Sequence, residues 1–284
     1  MVDSIPNVRR GIAARTAGRF RSEERGLLLL MLPAVIFLSA VVLYPLVSAL
    51  WGSLFNESLV RPQLGRRFVG VANYAQVLGD RTFWTTLGRT VVWTAGSVLG
   101  KTLVGLILAL LLVSPFRGNS LYRVLILVPW ATPQVVGAVI WKWLYNSHNG
   151  YLSYFFQAVG LAHGPVTFLG GPGTALLATM AVDMWFGIPF MTMVLLAGLH
   201  SIPKELYEAA SVDGATWLDR FRHITWPLLL PVLGVATNLS VIWTFNSFNI
   251  IQTMTGGGPV GATEILVIRA YKEAFGRYDV GIAS

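Results

Sequence analysis

The hydrophobic pattern of this chain is five long apolar stretches separated by polar connections, two of them long. They fall near residues 27–54, 90–113, 121–145, 174–199 and 224–254. A bilayer core needs about 20 apolar residues per helix, so each stretch is long enough to span. The pattern predicts an all-α, polytopic transmembrane helical bundle. No charged residue lies between Asp183 and Lys204, and none between Arg222 and Glu264. The charged island between them therefore joins two membrane helices and faces water.

The island predicts a helix–turn–helix outside the bilayer. Pro203 suits a first helical turn, where a missing N–H costs nothing. Leu206, Ala209 and Ala210 fall at helical spacing and give a small, smooth face. Gly214 can take positive φ and end the first helix. Thr216-Trp-Leu-Asp219 reads as a capping box that starts a second helix, and Pro227 and Pro231 mark a kinked entry into the membrane. A helix faced with small residues lets another surface approach closely.

Composition supports a membrane protein. The 284 residues are 54% hydrophobic and 12% charged, where soluble domains carry about a quarter charged residues. The net charge of +8 comes from 21 basic against 13 acidic residues. The basic residues flank apolar runs, so membrane topology explains them better than nucleic-acid binding. Arg9, Arg10, Arg15, Arg19, Arg21 and Arg25 precede the first stretch, which is too long for a signal-peptide core. Residues 1–26 thus read as a cytoplasmic basic segment, and residues 27–284 as one transmembrane domain. The loops at 114–120 and 204–222 then lie inside, and those at 56–89 and 146–173 outside. The chain has no cysteine, and His148, His163, His200 and His223 show no metal-ligand spacing.

The island resembles the cytoplasmic loop of the membrane subunits of ABC importers, which carries Glu-Ala-Ala, a Gly four residues on, then Ile-x-Leu-Pro. Glu208, Ala209, Ala210, Gly214, Ile224 and Pro227 match, with Trp226 in place of the usual Leu. Asp213 and Ala215 fit the Asp-Gly-Ala centre of the sugar-importing branch. Gly70-Val-Ala-Asn-Tyr74, Phe83-Trp84 and Thr255-Gly-Gly-Gly-Pro259 resemble further segments of sugar-importer permeases. The resemblance implies a permease in a bacterial plasma (inner) membrane with its N-terminus cytoplasmic. It implies a coupling loop at 200–223, where Glu205, Glu208, Ala209, Ala210, Asp213, Gly214 and Ala215 meet an ATPase. The implied partners are a second permease subunit, two ATPase subunits, an extracellular solute-binding protein, a carbohydrate substrate and the lipid bilayer, with no nucleic acid. ATP and Mg would be bound by the ATPase, and this chain would bind no cofactor. Look-alikes serve maltose, trehalose and similar oligosaccharides, and some serve glycerol phosphate. The family also implies a sixth helix after Tyr278-Asp279, cut off here at Ser284.

No catalytic constellation and no phosphate-cradling loop is visible, since no Lys-Ser/Thr follows Gly256-Gly-Gly-Pro259. The chain does not read as an enzyme. Charges inside spans are costly and default to functional candidates. Lys101 and Asp183 either pair as a structural bridge, or Asp183 faces a solute path. Trp243, Asn246 and Asn249 recur every three residues, which leans them to one side of the fifth helix and suits a sugar path. Phe186, Gly187 and Phe190, with Pro189, would form a facing wall on a broken fourth helix. The rival reading is an ion-coupled secondary transporter with Asp183 as its ion site. It leaves the Glu208-Ala-Ala island unexplained.

Overall fold

In hydrocarbon every backbone N–H and C=O must pair within its own segment, so long apolar stretches fold as helices. The computed structural model describes residues 30–57, 60, 65–114 and 116–284. The expected cytoplasmic segment 1–26 lies outside the described residues. Among these residues, four helices are long and apolar enough to span: α1 (Leu30–Gly52), α3 (Arg81–Val113), α7 (Pro172–His200) and α9 (Trp217–Phe245). A further pair, α4 (Asn119–Ala131) and α5 (Gln134–Leu144), is long and apolar enough only when taken together, and is turned by 95° at its break. Shorter helices are α2 (Ala72–Gly79), α6 (Tyr151–Ala158), α8 (Lys204–Val212), α10 (Phe248–Met254), α11 (Leu266–Tyr271) and α12 (Val280–Ala283).

The described chain divides into two compact units, with the division inside α2 after Tyr74. The first holds α1, a two-residue hairpin pairing Phe55 with Phe68, and the C-terminal α12. Asn73 of the Gly-Val-Ala-Asn-Tyr segment donates to the carbonyls of Ser53 at 2.8 Å and Phe55 at 2.9 Å. Tyr74 shares a 2.6 Å hydrogen bond with Ser53 Oγ. That segment thus fastens the chain just after the first span. Asp279 caps α12 by accepting from Ile282 N–H at 3.1 Å, so a helix starts where a further one was expected.

The second unit, Ala75–Arg277, holds the other spans. α3 starts earlier than the apolar run because Asp80 caps it, accepting from Thr82 N–H at 2.8 Å. Its main partner is α7. Gly105 permits their close approach: a Cβ there would lie 2.7 Å from Met191 Cγ. α9 packs against both. One core cluster gathers Trp93, Val182, Phe186, Ile250 and Ile265; another gathers Ala109, Met191, Leu195, Leu229 and Ala236.

Three details correct the reading from apolar runs. The third stretch is not one straight helix. Thr132, placed before Pro133, is extended at φ −79°, ψ 129°, because a proline disfavours helical backbone in the residue preceding it. The fourth helix, expected to break near Pro189, runs unbroken from Pro172 to His200; proline inside a membrane helix is tolerated where neighbours cover the freed carbonyl. The fifth stretch starts earlier, at Trp217, and ends at Phe245, with α10 a separate element.

α9 is also continuous through Pro227 and Pro231. A π turn at Phe221–Thr225 precedes the first of these, and another at Ser39–Leu43 precedes Pro45 in α1. A proline clashes with the carbonyl four residues back and offers it no N–H. The wider turn moves that carbonyl aside.

Candidate functional site

The breaks at Thr132–Pro133 and after Phe245 border one cavity of about 320 Å³ inside the second unit. Lys101 enters it from α3, Thr132 and Gln134 from the α4–α5 break, and Asp183, Phe186, Gly187 and Phe190 from α7. Ser240, Trp243 and Thr244 enter from α9, and Ser247 from the link to α10. Broken helices suit such a place, because the backbone groups they free can face a polar cavity.

Lys101 and Asp183 do pair. Lys101 Nζ lies 2.5 Å from Asp183 Oδ2, and both side chains are only 6% exposed. Lys101 also donates to Thr244 Oγ1 at 2.7 Å, which ties α3, α7 and α9 together. Gly187 makes room for the lysine stem, since a Cβ there would lie 2.6 Å from Lys101 Cδ and Cε. Asp183 Oδ2 is held by the Lys101 ammonium, while buried Ser247 Oγ makes no hydrogen bond. Asp183 therefore belongs both to an interhelical bridge and to the cavity wall.

Trp243 lines the cavity with its ring 4.8 Å from that of Phe190 in an edge-to-face contact. Asn246 and Asn249 lie off the lining. Asn246 is exposed and donates to Ile242 O at 2.9 Å, at the end of its own helix. Asn249 donates to Gln134 Oε1 at 3.3 Å. A spacing of three aligns these residues only on an unbroken helix, and α9 stops at Phe245. Phe186, Gly187 and Phe190 do line the wall, and Pro189 does not. The polar residues missed were Thr132, Gln134, Ser240, Thr244 and Ser247. For the last three, an i, i+4, i+7 spacing was the available signal.

The charged island forms a second candidate surface. α8 begins after Pro203, which stands at its N-cap, one position before the expected first turn. Glu205, Leu206, Glu208, Ala209 and Val212 are exposed, with Val212 at 88%. Tyr207 turns inward and shares a 3.0 Å hydrogen bond with Thr225 Oγ1 at the foot of α9. Asp213 ends α8, Gly214 has φ +77°, and Ala215 N–H donates back to Ala210 O at 2.9 Å. The capping box is present: Asp219 N–H donates to Thr216 Oγ1 at 3.3 Å and Thr216 N–H to Asp219 Oδ2 at 3.0 Å. The Thr216 hydroxyl and amide hold the Asp219 carboxyl below its ordinary pKa. Arg220 Nη1 donates to Ser211 Oγ at 3.0 Å and fixes the two island helices to each other.

The segment Thr255–Pro259 turns through Gly256 and Gly257 at φ +58° and +90°. Thr263 Oγ1 closes it by donating to Gly258 O at 2.7 Å. Among the described residues, no three His, Cys, Asp or Glu gather as a metal site.

Comparison with known proteins agrees with this arrangement. A sequence model of the binding-protein-dependent transport system inner membrane components matches residues 101–282. The trehalose/maltose transport system permease protein MalF of Thermococcus litoralis is 38% identical over 93% of this chain and 88% of its own length. The sn-glycerol-3-phosphate transport system permease protein UgpA of Agrobacterium fabrum is 34% identical over 89% of this chain and 85% of its own. The crystal structure of a bacterial ABC transporter involved in import of the acidic polysaccharide alginate has a chain of the same fold. It aligns with TM-score 0.76 and 20% identity over 93% of this chain and 90% of that one. The family model and these relatives give one assignment: the chain belongs to the family of binding-protein-dependent transport system inner membrane components, multi-pass permease subunits of ABC importers.

Proposed function

We propose that this permease forms, with a second permease subunit, the membrane path for a sugar or oligosaccharide. An extracellular binding protein delivers the solute, and two ATPase subunits drive transport. The observation that carries the reading is the cavity bordered by two helix breaks, lined by hydroxyls, an amide, one ion pair and the aromatic side chains of Trp130, Phe186, Phe190 and Trp243. Sugar hydroxyls need hydrogen-bond partners in a dry site, and an indole face stacks on a sugar ring. The names of the relatives, trehalose/maltose and glycerol-3-phosphate permeases, support this solute class.

In this reading the exposed face of α8 enters a groove on the ATPase. Glu208 is the electrostatic anchor, and Ala209, Ala210 and Gly214 allow close approach, with Glu205, Asp213 and Ala215 around them. ATP and Mg reside in that subunit, and the N-terminus is cytoplasmic. The Tyr207–Thr225 bond joins α8 to the foot of α9, and Thr244 sits roughly 28 Å along the same helix at 1.5 Å per residue. A displacement of α8 thus reaches the cavity through one rigid element, as alternating access requires.

Purification of the tagged chain from mild detergent tests this. The reading expects an ATPase with a phosphate-binding loop to copurify with the unaltered chain and to be lost on Glu208→Arg. A chain recovered alone, monodisperse, and moving solute on a proton or sodium gradient without ATP would overturn it.

A further inference from the structure

We propose that Asp183 excludes anionic solutes from the cavity by neutralising Lys101, so that the site accepts uncharged polyols. The inference rests on the solute path proposed above and adds to it the residue that selects on charge. Among the described residues lining the cavity, Lys101 is the sole cation and Asp183 the sole anion. Their side chains are buried alike and lie 2.5 Å apart. The remaining polar lining is neutral, from Gln134, Ser240, Thr244 and Ser247 among others. The cavity therefore carries a full positive charge that one carboxylate cancels.

The geometry holds the amine where that cancellation is needed. Thr244 Oγ1 accepts one of its protons, and the stem lies in the space that Gly187 leaves free. The ammonium is thus aimed at Asp183. A phosphate or carboxylate entering the cavity must displace Asp183 from Lys101 and sit beside a second negative charge. Beside so buried a pair that repulsion is weakly screened. A hydroxyl pays no such penalty and can pair with the neutral polar lining, such as Gln134 and Ser240. Without the Asp183 charge, Lys101 becomes a buried cation with no partner, and an oxyanion is the ligand that best satisfies it.

The test uses the complete transporter in nanodiscs, with inorganic phosphate and the pair trehalose and trehalose 6-phosphate as probes. Sites on the ATPase subunits are common to all samples and cancel in the comparison. Asp183→Asn should bind phosphate and the phosphorylated sugar about tenfold or more tightly than the unaltered complex. Asp183→Asn combined with Lys101→Gln should lose that gain. No gain in Asp183→Asn, or an equal gain in the double variant, overturns the proposal. If Asp183→Asn does not assemble, Lys101→Gln gives the mirror test. The lone carboxylate should then favour glucosamine over glucose by about tenfold relative to the unaltered complex, and no preference overturns the proposal. Ser240→Trp separates the two readings. Undiminished sugar uptake with the cavity filled sinks the solute path itself, whereas blocked uptake with no anion gain in Asp183→Asn sinks charge selection alone.

Discussion

Trp93 Nε1 donates to the carbonyl oxygen of Thr244 at 3.0 Å, joining α3 to α9 one residue before α9 ends. The same carbonyl accepts Ser247 N–H at 3.1 Å, and the same residue's hydroxyl accepts Lys101 Nζ at 2.7 Å. The fully buried indole therefore holds the helix end that carries three cavity-lining residues. Trp93→Phe keeps most of the packing and removes the donor, so it should cost about 1 kcal/mol. Trp93→Ala also opens a void and should cost about 3–5 kcal/mol. Thermal melting followed by gel filtration checks the order; equal losses in the two variants would contradict a hydrogen bond that adds little to the packing.

Breaking a buried ion pair from one side strands a charge. Lys101→Met should destabilise by about 3–5 kcal/mol, while Lys101→Met with Asp183→Asn should recover most of that loss. A double-mutant cycle on melting temperature reads the coupling. Strict additivity of the two single losses would mean that the pair contributes nothing as a pair.

Ala209 is exposed on α8 and packs no core. Ala209→Trp should leave the stability of the isolated permease within about 0.5 kcal/mol. It should nonetheless lower sugar-stimulated ATP hydrolysis by the complex about tenfold or more, because bulk on the small face blocks close approach. Unchanged stimulation would remove this face from the ATPase contact.

The N-terminal end of α3 is tied to α11 by an ion pair between Asp80 and Arg269. The Arg269 guanidinium, together with the Thr82 amide and hydroxyl, holds the Asp80 carboxyl at a pKa of about 2. A depressed carboxylate adds stability above its unfolded pKa of about 4 and loses it as pH falls toward 2. This contribution should therefore be constant from pH 5 to pH 8 and fade between about pH 4 and pH 2. Glu273 is a second carboxylate at this cluster, 2.8 Å from Arg277 Nη1 and 3.9 Å from Arg269 Nε, and is common to the unaltered chain and to Asp80→Asn. Asp80→Asn should flatten that part of the melting-temperature profile, and an unaltered acid slope in the variant would place its origin elsewhere.

Much of this molecule was legible in its sequence, for physical reasons that also mark the limit. Apolar length alone gave the spans, because hydrocarbon leaves the backbone little choice. The capping box at Thr216 and Asp219 and the turn at Gly214 were legible because they are local chemistry. Proline was the poor guide. Pro189 suggested a break that α7 does not make, while Pro133 made the break that the apolar run concealed. What decides between them is packing around the freed carbonyl, and that is tertiary. The polar stripe Trp243, Asn246, Asn249 assumed that α9 continued past Phe245. The stripe Ser240, Thr244, Ser247 reaches the cavity, with the first two on α9 and Ser247 just beyond its end. The pairing of Lys101 with Asp183 spans 82 positions of sequence, and nothing local could decide it.

ATP-driven uptake of labelled trehalose and maltose into proteoliposomes holding the complete transporter and its binding protein tests the central claim most directly, with Ser240→Trp and Glu208→Arg run alongside. The account predicts uptake that requires ATP, is unaffected by collapse of ion gradients, and is lost in both variants while each still assembles in the membrane. Uptake that survives filling the cavity, or that continues without ATP on an ion gradient, would contradict it.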